Sequence, residues 1–95
     1  MATFLMTGRY SAETIKRISG ERTTKGNEII QQCGGKVLAV YATMGETDLL
    51  AIVEFPGVNE AIKASVALNK ALGITFSTVP AIRLEDFDKL VGAES

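Results

Sequence analysis

Ninety-five residues, 46% of them hydrophobic and 22% charged, describe one folded domain over 1–95 rather than a disordered chain or a pair of domains. Ten basic against eleven acidic residues leave a net charge of −1, with Lys16-Arg17 the only adjacent basic pair, so the chain lacks the field that draws nucleic acid or an anionic membrane. One cysteine and no histidine exclude an internal disulfide, His-dependent nucleophilic triads and the common His-ligated haem and zinc sites.

Met-Ala-Thr-Phe-Leu-Met-Thr at the start carries no basic segment and reads as a first strand, not a signal peptide. No apolar run approaches the roughly 18 residues that span a bilayer. With a lone thiol suited to a reducing compartment, the expected location is cytoplasmic.

Along the chain the hydrophobic period alternates between about 2 and about 3.6. Ala2–Tyr10 reads as a strand, with Phe4, Met6 and Tyr10 on one parity. Ser11 can cap a turn of helix holding Ile15 and Ile18. Ser19-Gly20 breaks that turn, and a main helix is predicted from about Glu21 to Cys33, ended by Gly34-Gly35. Val37–Thr43 and Leu49–Phe55 are strands joined by a five-residue loop containing Gly45. Asn59 can cap a helix running to Leu72, with Ala61, Ile62, Ser65, Val66, Asn69 and Leu72 on one face. Gly73 stops it. Ile74–Leu84 is a last strand, and Glu85–Val91 a short terminal helix with Leu84, Phe87, Leu90 and Val91 as its apolar stripe.

This order is βαββαβ, the ferredoxin-like α+β plan: a four-stranded antiparallel sheet, two helices on one face and a short C-terminal helix. The two middle strand segments are apolar on both parities. Val37, Ala39 and Tyr41 oppose Leu38, Val40 and Ala42; Leu49, Ala51, Val53 and Phe55 oppose Leu50 and Ile52. Two helices cover only one face of such a sheet. About six uncovered aliphatic side chains would leave roughly 600 Å² of apolar surface, at or beyond what a monomer tolerates. The expected partner is therefore the chain itself, as a homodimer or a multiple of dimers packed sheet to sheet.

Cys33-Gly34-Gly35-Lys36-Val37, leading through Tyr41 to Gly45-Glu46-Thr47-Asp48-Leu49 and then Val53-Glu54-Phe55-Pro56, resembles the GYD domain family. Ser19-Gly20-Glu21-Arg22 and Ala71-Leu72-Gly73 fit the same resemblance, which covers most of the chain. It implies a ferredoxin-like, dimeric α/β-barrel architecture and little about function. Thr47 stands where the family carries tyrosine, so any role of that ring is absent here.

Gly34-Gly35-Lys36 lacks the earlier glycine and the following hydroxyl of a phosphate loop, since Ile30 and Val37 hold those positions. It reads as a helix stop. Cys33 lies in phase with Ile29 and is expected to pack in the core. Glu85, Asp86 and Asp88 suit the first turn of a helix through its dipole, and no metal site is expected from them.

Arg22 shares its helix face with Gly26, Ile29 and Cys33. It either snorkels out along that face or meets a carboxylate inside, Glu54 in preference to Asp48, since a carboxylate among aliphatics needs a partner. Arg9 and Tyr10 should lie near Asp48 through antiparallel pairing. Arg22, Glu54, Asp48, Tyr41, Arg9 and Tyr10 are thus the candidate ligand-binding residues, as a structural ion pair or as a set orienting a small polar ligand. The leading reading is an oligomeric domain without cofactor that binds a small molecule between helices and sheet or at the subunit interface. A cofactor-independent oxygenase or isomerase is the alternative. A PII-like regulatory protein is third, disfavoured because the loop between the middle strands is short.

Overall fold

The computed structural model describes residues 1–92. Strand β1 (Ala2–Tyr10) is followed by a short 3-10 turn over Thr14–Arg17, helix α1 (Gly20–Gln32), strands β2 (Lys36–Ala42) and β3 (Leu49–Phe55), helix α2 (Val58–Leu72), strand β4 (Ile74–Ala81) and helix α3 (Leu84–Gly92). The four strands form one antiparallel sheet in the order β2-β3-β1-β4. This is the predicted βαββαβ arrangement.

Local chemistry explains most boundaries. The Ser11 hydroxyl accepts from the Thr14 N–H at 3.1 Å, and the Ile15 N–H donates to the Ser11 carbonyl at 3.0 Å. Ser19 caps α1 by accepting from the Arg22 N–H at 3.3 Å. Gly34 and Gly73 end the two long helices at positive φ, 83° and 69°, where a Cβ would be strained.

Three expectations need correction. Helix α2 begins at Val58 after Gly57, so Asn59 lies inside it and caps nothing. Strand β4 stops at Ala81, because the Arg83 carbonyl already accepts from the N–H groups of Asp86 and Phe87 and so opens α3. The third concerns the face of α2. It buries Ala61, Ala64, Leu68 and Leu72, and leaves Ile62 56% and Val66 49% exposed. Small alanines let the helix axis approach the sheet closely, and the larger aliphatics turn outward.

The core lies between the helices and one face of the sheet. Phe4 and Met6 of β1, Ala51, Val53 and Phe55 of β3, and Ile74 of β4 meet Ile30 of α1 and the buried stripe of α2. Phe4 and Phe55 pack edge to face, with ring centroids 5.8 Å apart.

On β2 a bulge intervenes. Val37 pairs with Val53, but Ala39 pairs with Ile52 and Val40 with Ala51. One extra residue, Leu38, reverses the parity. Val40 therefore shares the helix side with Ala51, whereas Ala39 and Tyr41 join Ile52 and Leu50 on the opposite face. That open face carries rows of paired neighbours: Val79, Leu5, Ile52 and Ala39, then Ser77, Thr7, Leu50 and Tyr41. No helix covers it.

Candidate functional site

Helix α1 meets the end of the sheet around a cavity of about 140 Å³. Its walls are mainly apolar: Ile30 from α1, Leu68 and Leu72 from α2, Leu49 and Ala51 from β3, and Phe76 from β4. Gly26 faces it from mid-helix, and Ile18, Ser19, Arg22 and Thr23 stand at the start of α1. A volume of this order accepts something of roughly benzene dimensions, and the pocket opens to solvent beside Arg22.

Arg22 is half-buried, and among the described residues it is the one charged side chain lining this cavity. Its Nη2 donates to the Leu72 carbonyl. That carbonyl is at the C-terminus of α2, where the last acceptors lack helical partners and the dipole favours a cation. The expected carboxylate partner is replaced by a backbone oxygen.

The other candidates fall into separate places. Glu54 is on the open face, paired in register with Thr3 on β1 and Lys36 on β2. It is thus on the opposite side of the sheet from Arg22, and the internal Arg22–Glu54 pair is corrected. Asp48 is engaged locally: its Oδ2 accepts from the Tyr10 N–H at 2.9 Å, and its own N–H donates to the Gly8 carbonyl at 2.8 Å. The predicted meeting of Asp48 with the end of β1 is therefore found, but through the backbone of Tyr10. Tyr10 itself lines the cavity. Tyr41 is exposed on the open face, and Arg9 borders a shallow depression there with Thr7, Glu46, Thr47 and Thr75. The six candidates do not converge; only Arg22 and Tyr10 reach the cavity.

Gly26 and Gly8 were not marked as site residues by the sequence. An ideal Cβ on Gly26 would lie 3.4 Å from Leu72 Cδ1, and one on Gly8 only 2.7 Å from Phe76 Cε1. The missing Cβ of Gly8 is what lets the Phe76 ring lie across β1. A glycine in the middle of α1, one turn from Arg22, was the available signal. Cys33 packs partly buried against the core, as its helical phase implied. Glu85 of the terminal acidic group pairs with Arg83 at 2.6 Å on the exposed start of α3. Among the described residues no helix is long and apolar enough to cross a membrane.

These bonds set an expectation for Arg22→Met. Methionine keeps the packing of the stem but strands the Leu72 carbonyl, at a cost of about 1–2 kcal/mol for a half-buried charge-assisted bond. Double-mutant cycles with Glu54→Gln or Asp48→Asn should show coupling below about 0.5 kcal/mol. Urea unfolding measures both; coupling above about 1.5 kcal/mol would mean that a carboxylate, not the carbonyl, holds Arg22.

The architecture and core define a ferredoxin-like α+β domain. The sequence matches the GYD domain over residues 4–91, and the chain belongs to that family. The crystal structure of Mycobacterium tuberculosis leucine response regulatory protein (LrpA) is similar in fold, with a TM-score of 0.57 at 6% sequence identity. That similarity covers 86% of this chain and 51% of LrpA, so the chain spans about half the length of that protein. No curated protein sequence matches the chain.

Proposed function

We propose that this protein is a cytoplasmic, self-associating domain that binds a small, mainly apolar molecule between α1 and the sheet. The observation that carries this reading is the apolar cavity of about 140 Å³ with one cationic group in its wall. Apolar walls with few placed polar groups are the usual composition of a ligand site. The fitting class is a single ring or short branched chain bearing a carboxylate or carbonyl, which Arg22 can bind in place of the Leu72 oxygen. Self-association rests on the open sheet face, where Leu5, Leu50, Ile52 and Val79 lie side by side with no helix among the described residues over them.

Binding is favoured over catalysis by the dispersal of the titratable candidates. Glu54 and Tyr41 are across the sheet from the cavity, and Asp48 is held by the Tyr10 backbone. A cofactor-independent oxygenase or isomerase needs a base within hydrogen-bond reach of its substrate, and no carboxylate lines this cavity among the described residues. The PII-like reading is opposed by the β2–β3 loop. Thr43 Oγ1 donates to the Thr47 carbonyl at 2.6 Å and the Thr43 N–H to the Asp48 carbonyl at 2.9 Å, so that loop is closed on itself.

Titration of the isotope-labelled protein with benzene, indole, benzoate and phenylacetate, followed by amide NMR, tests the reading. Shifts should cluster at Gly26, Ile30, Leu68 and Leu72, and Arg22→Met should weaken the two carboxylates at least fivefold while leaving benzene unchanged. No shift in that cluster at millimolar probe would refute the cavity as a site. A companion prediction concerns Gly26→Ala. Replacing a mid-helix glycine gains about 0.5–1 kcal/mol, and the new methyl contacts Leu72 at an ordinary distance. Stability should rise while benzene affinity falls, as read by thermal melting and the same titration.

A further inference from the structure

We propose that α3 is an exchanged arm, seated on the outward apolar stripe of α2 in a second copy of the chain. Two surfaces on one molecule lead to this. Helix α3 has no buried residue: Leu84 is 73% and Phe87 45% exposed, and Leu90 and Val91 are open beside them. On α2, Val58, Ile62 and Val66 recur every four residues on the outward side, also exposed. A helix that buries alanines and turns its aliphatics outward has a second apolar neighbour to meet.

The arm stands off its own body. The longest dimension is 51 Å, whereas a nine-residue strand spans only about 30 Å. The radius of gyration is 14.6 Å against about 12 Å for a compact domain of this length. Topology gives the direction. Ala81 pairs with Thr3, and Ala2 with Phe55, so β4 ends at the same end of the strands where α2 begins. From there the α2 stripe runs back along the sheet, whereas α3 buries none of its residues. Only Ile82 and Arg83 separate β4 from α3. The arm of a second copy is the occupant that fits.

Shape and charge both match. The α2 stripe from Val58 to Val66 and the α3 stripe from Leu84 to Val91 are each about 11–12 Å long at helical rise. Lys63 and Lys70 stand three and four positions from Val66, on one border of the α2 stripe. Asp88 is four positions from Leu84 and Asp86 four from Leu90, bordering the α3 stripe on both sides. All four charges are exposed. Seven half-exposed apolar side chains at roughly 80–100 Å² each, counted twice in a reciprocal exchange, bury roughly 1,100–1,400 Å², which reaches the size of a stable interface.

Cross-linking tests the exchange independently of the cavity and of the open sheet face. In a Cys33→Ser background, chains carrying Ile62→Cys are mixed with chains carrying Phe87→Cys, or Leu90→Cys as a second register, and mildly oxidised. A disulfide joining the two chain types is expected as the main product, identified by mass spectrometry. Adding Lys63→Glu and Lys70→Glu to the first chain should cut the yield at least fivefold, and Asp86→Lys with Asp88→Lys on the second should restore it. A double-cysteine chain that instead closes on itself at high dilution would overturn the proposal, since the arm would then fold back. So would the absence of a mixed disulfide at both registers, or a yield indifferent to charge reversal.

Discussion

Gly35→Ala should lower the stability of the domain by about 2–3 kcal/mol, the usual cost of forcing an extra methyl into a filled core. An ideal Cβ there would lie 2.6 Å from Phe55 Cε1 and 2.8 Å from Ile30 Cγ2. Neither neighbour is free to move. Phe55 is fully buried and locked edge-on against Phe4, and Ile30 is the buried residue of α1. The backbone is also held, since the Gly35 N–H donates to the Ile30 carbonyl at 2.9 Å. For a domain of this size such a loss lowers the melting temperature by about 10–20 °C. Gly20→Ala is the control, because nothing lies within 4 Å of its Cβ position. It should change stability by less than about 0.5 kcal/mol. Phe55→Leu in the same chain should recover part of the Gly35→Ala loss, which a double-mutant cycle reads. A Gly35→Ala protein within 0.5 kcal/mol of the parent, on the same scale, would show that the close approach to Phe55 relaxes freely.

Ile52→Asp is expected to have the largest effect on assembly. In register, Ile52 lies between Leu5 and Ala39 on the open face, with Val79 one strand further on. Sheet-to-sheet packing of two copies would bury this residue near the centre of the contact, and twofold symmetry would bury it twice. An unpaired carboxylate there costs several kcal/mol per copy. The dissociation constant of the sheet-to-sheet contact should therefore rise by at least about a hundredfold, leaving only such association as the α3 exchange supplies. The monomer should keep its fold, because Ile52 faces away from the helices and takes no part in the core. Sedimentation velocity across micromolar concentrations, with circular dichroism as the fold control, decides it. A parent protein that is already a monomer, or an Ile52→Asp protein that assembles as before, would remove the open face as an interface. Thr75→Asp, at the rim of the same face, should be nearly neutral.

The order of the elements follows from sequence because each carries its own local signal. Ser19 and Gly34 bracket α1, Gly73 stops α2, and strand periodicity separates β2 from β3 around Gly45. Those signals act over a few residues, and the structure reproduces them to within one to three positions. The two-sided apolar character of the middle strands was equally legible. It required that one face of the sheet be left without helices.

Which face that would be was decided only in three dimensions. With both parities apolar, period-2 reading gives no preference, and the bulge at Leu38 reverses the parity of β2 partway along. Tyr41 lies across the sheet from Arg22 because of that bulge, and Glu54 because Ala51, Val53 and Phe55 are the β3 parity that faces the helices. On α2 an apolar arc wider than one helix face left two choices. The close approach permitted by Ala61 and Ala64 selected the alanines and sent Ile62 and Val66 outward. Arg22 illustrates the same limit. Its side chain was legible as an unusual charge on an inward face, but its partner is the backbone carbonyl of Leu72, fifty residues away. Every residue carries such a carbonyl, so only the packing of α1 against the end of α2 could single this one out.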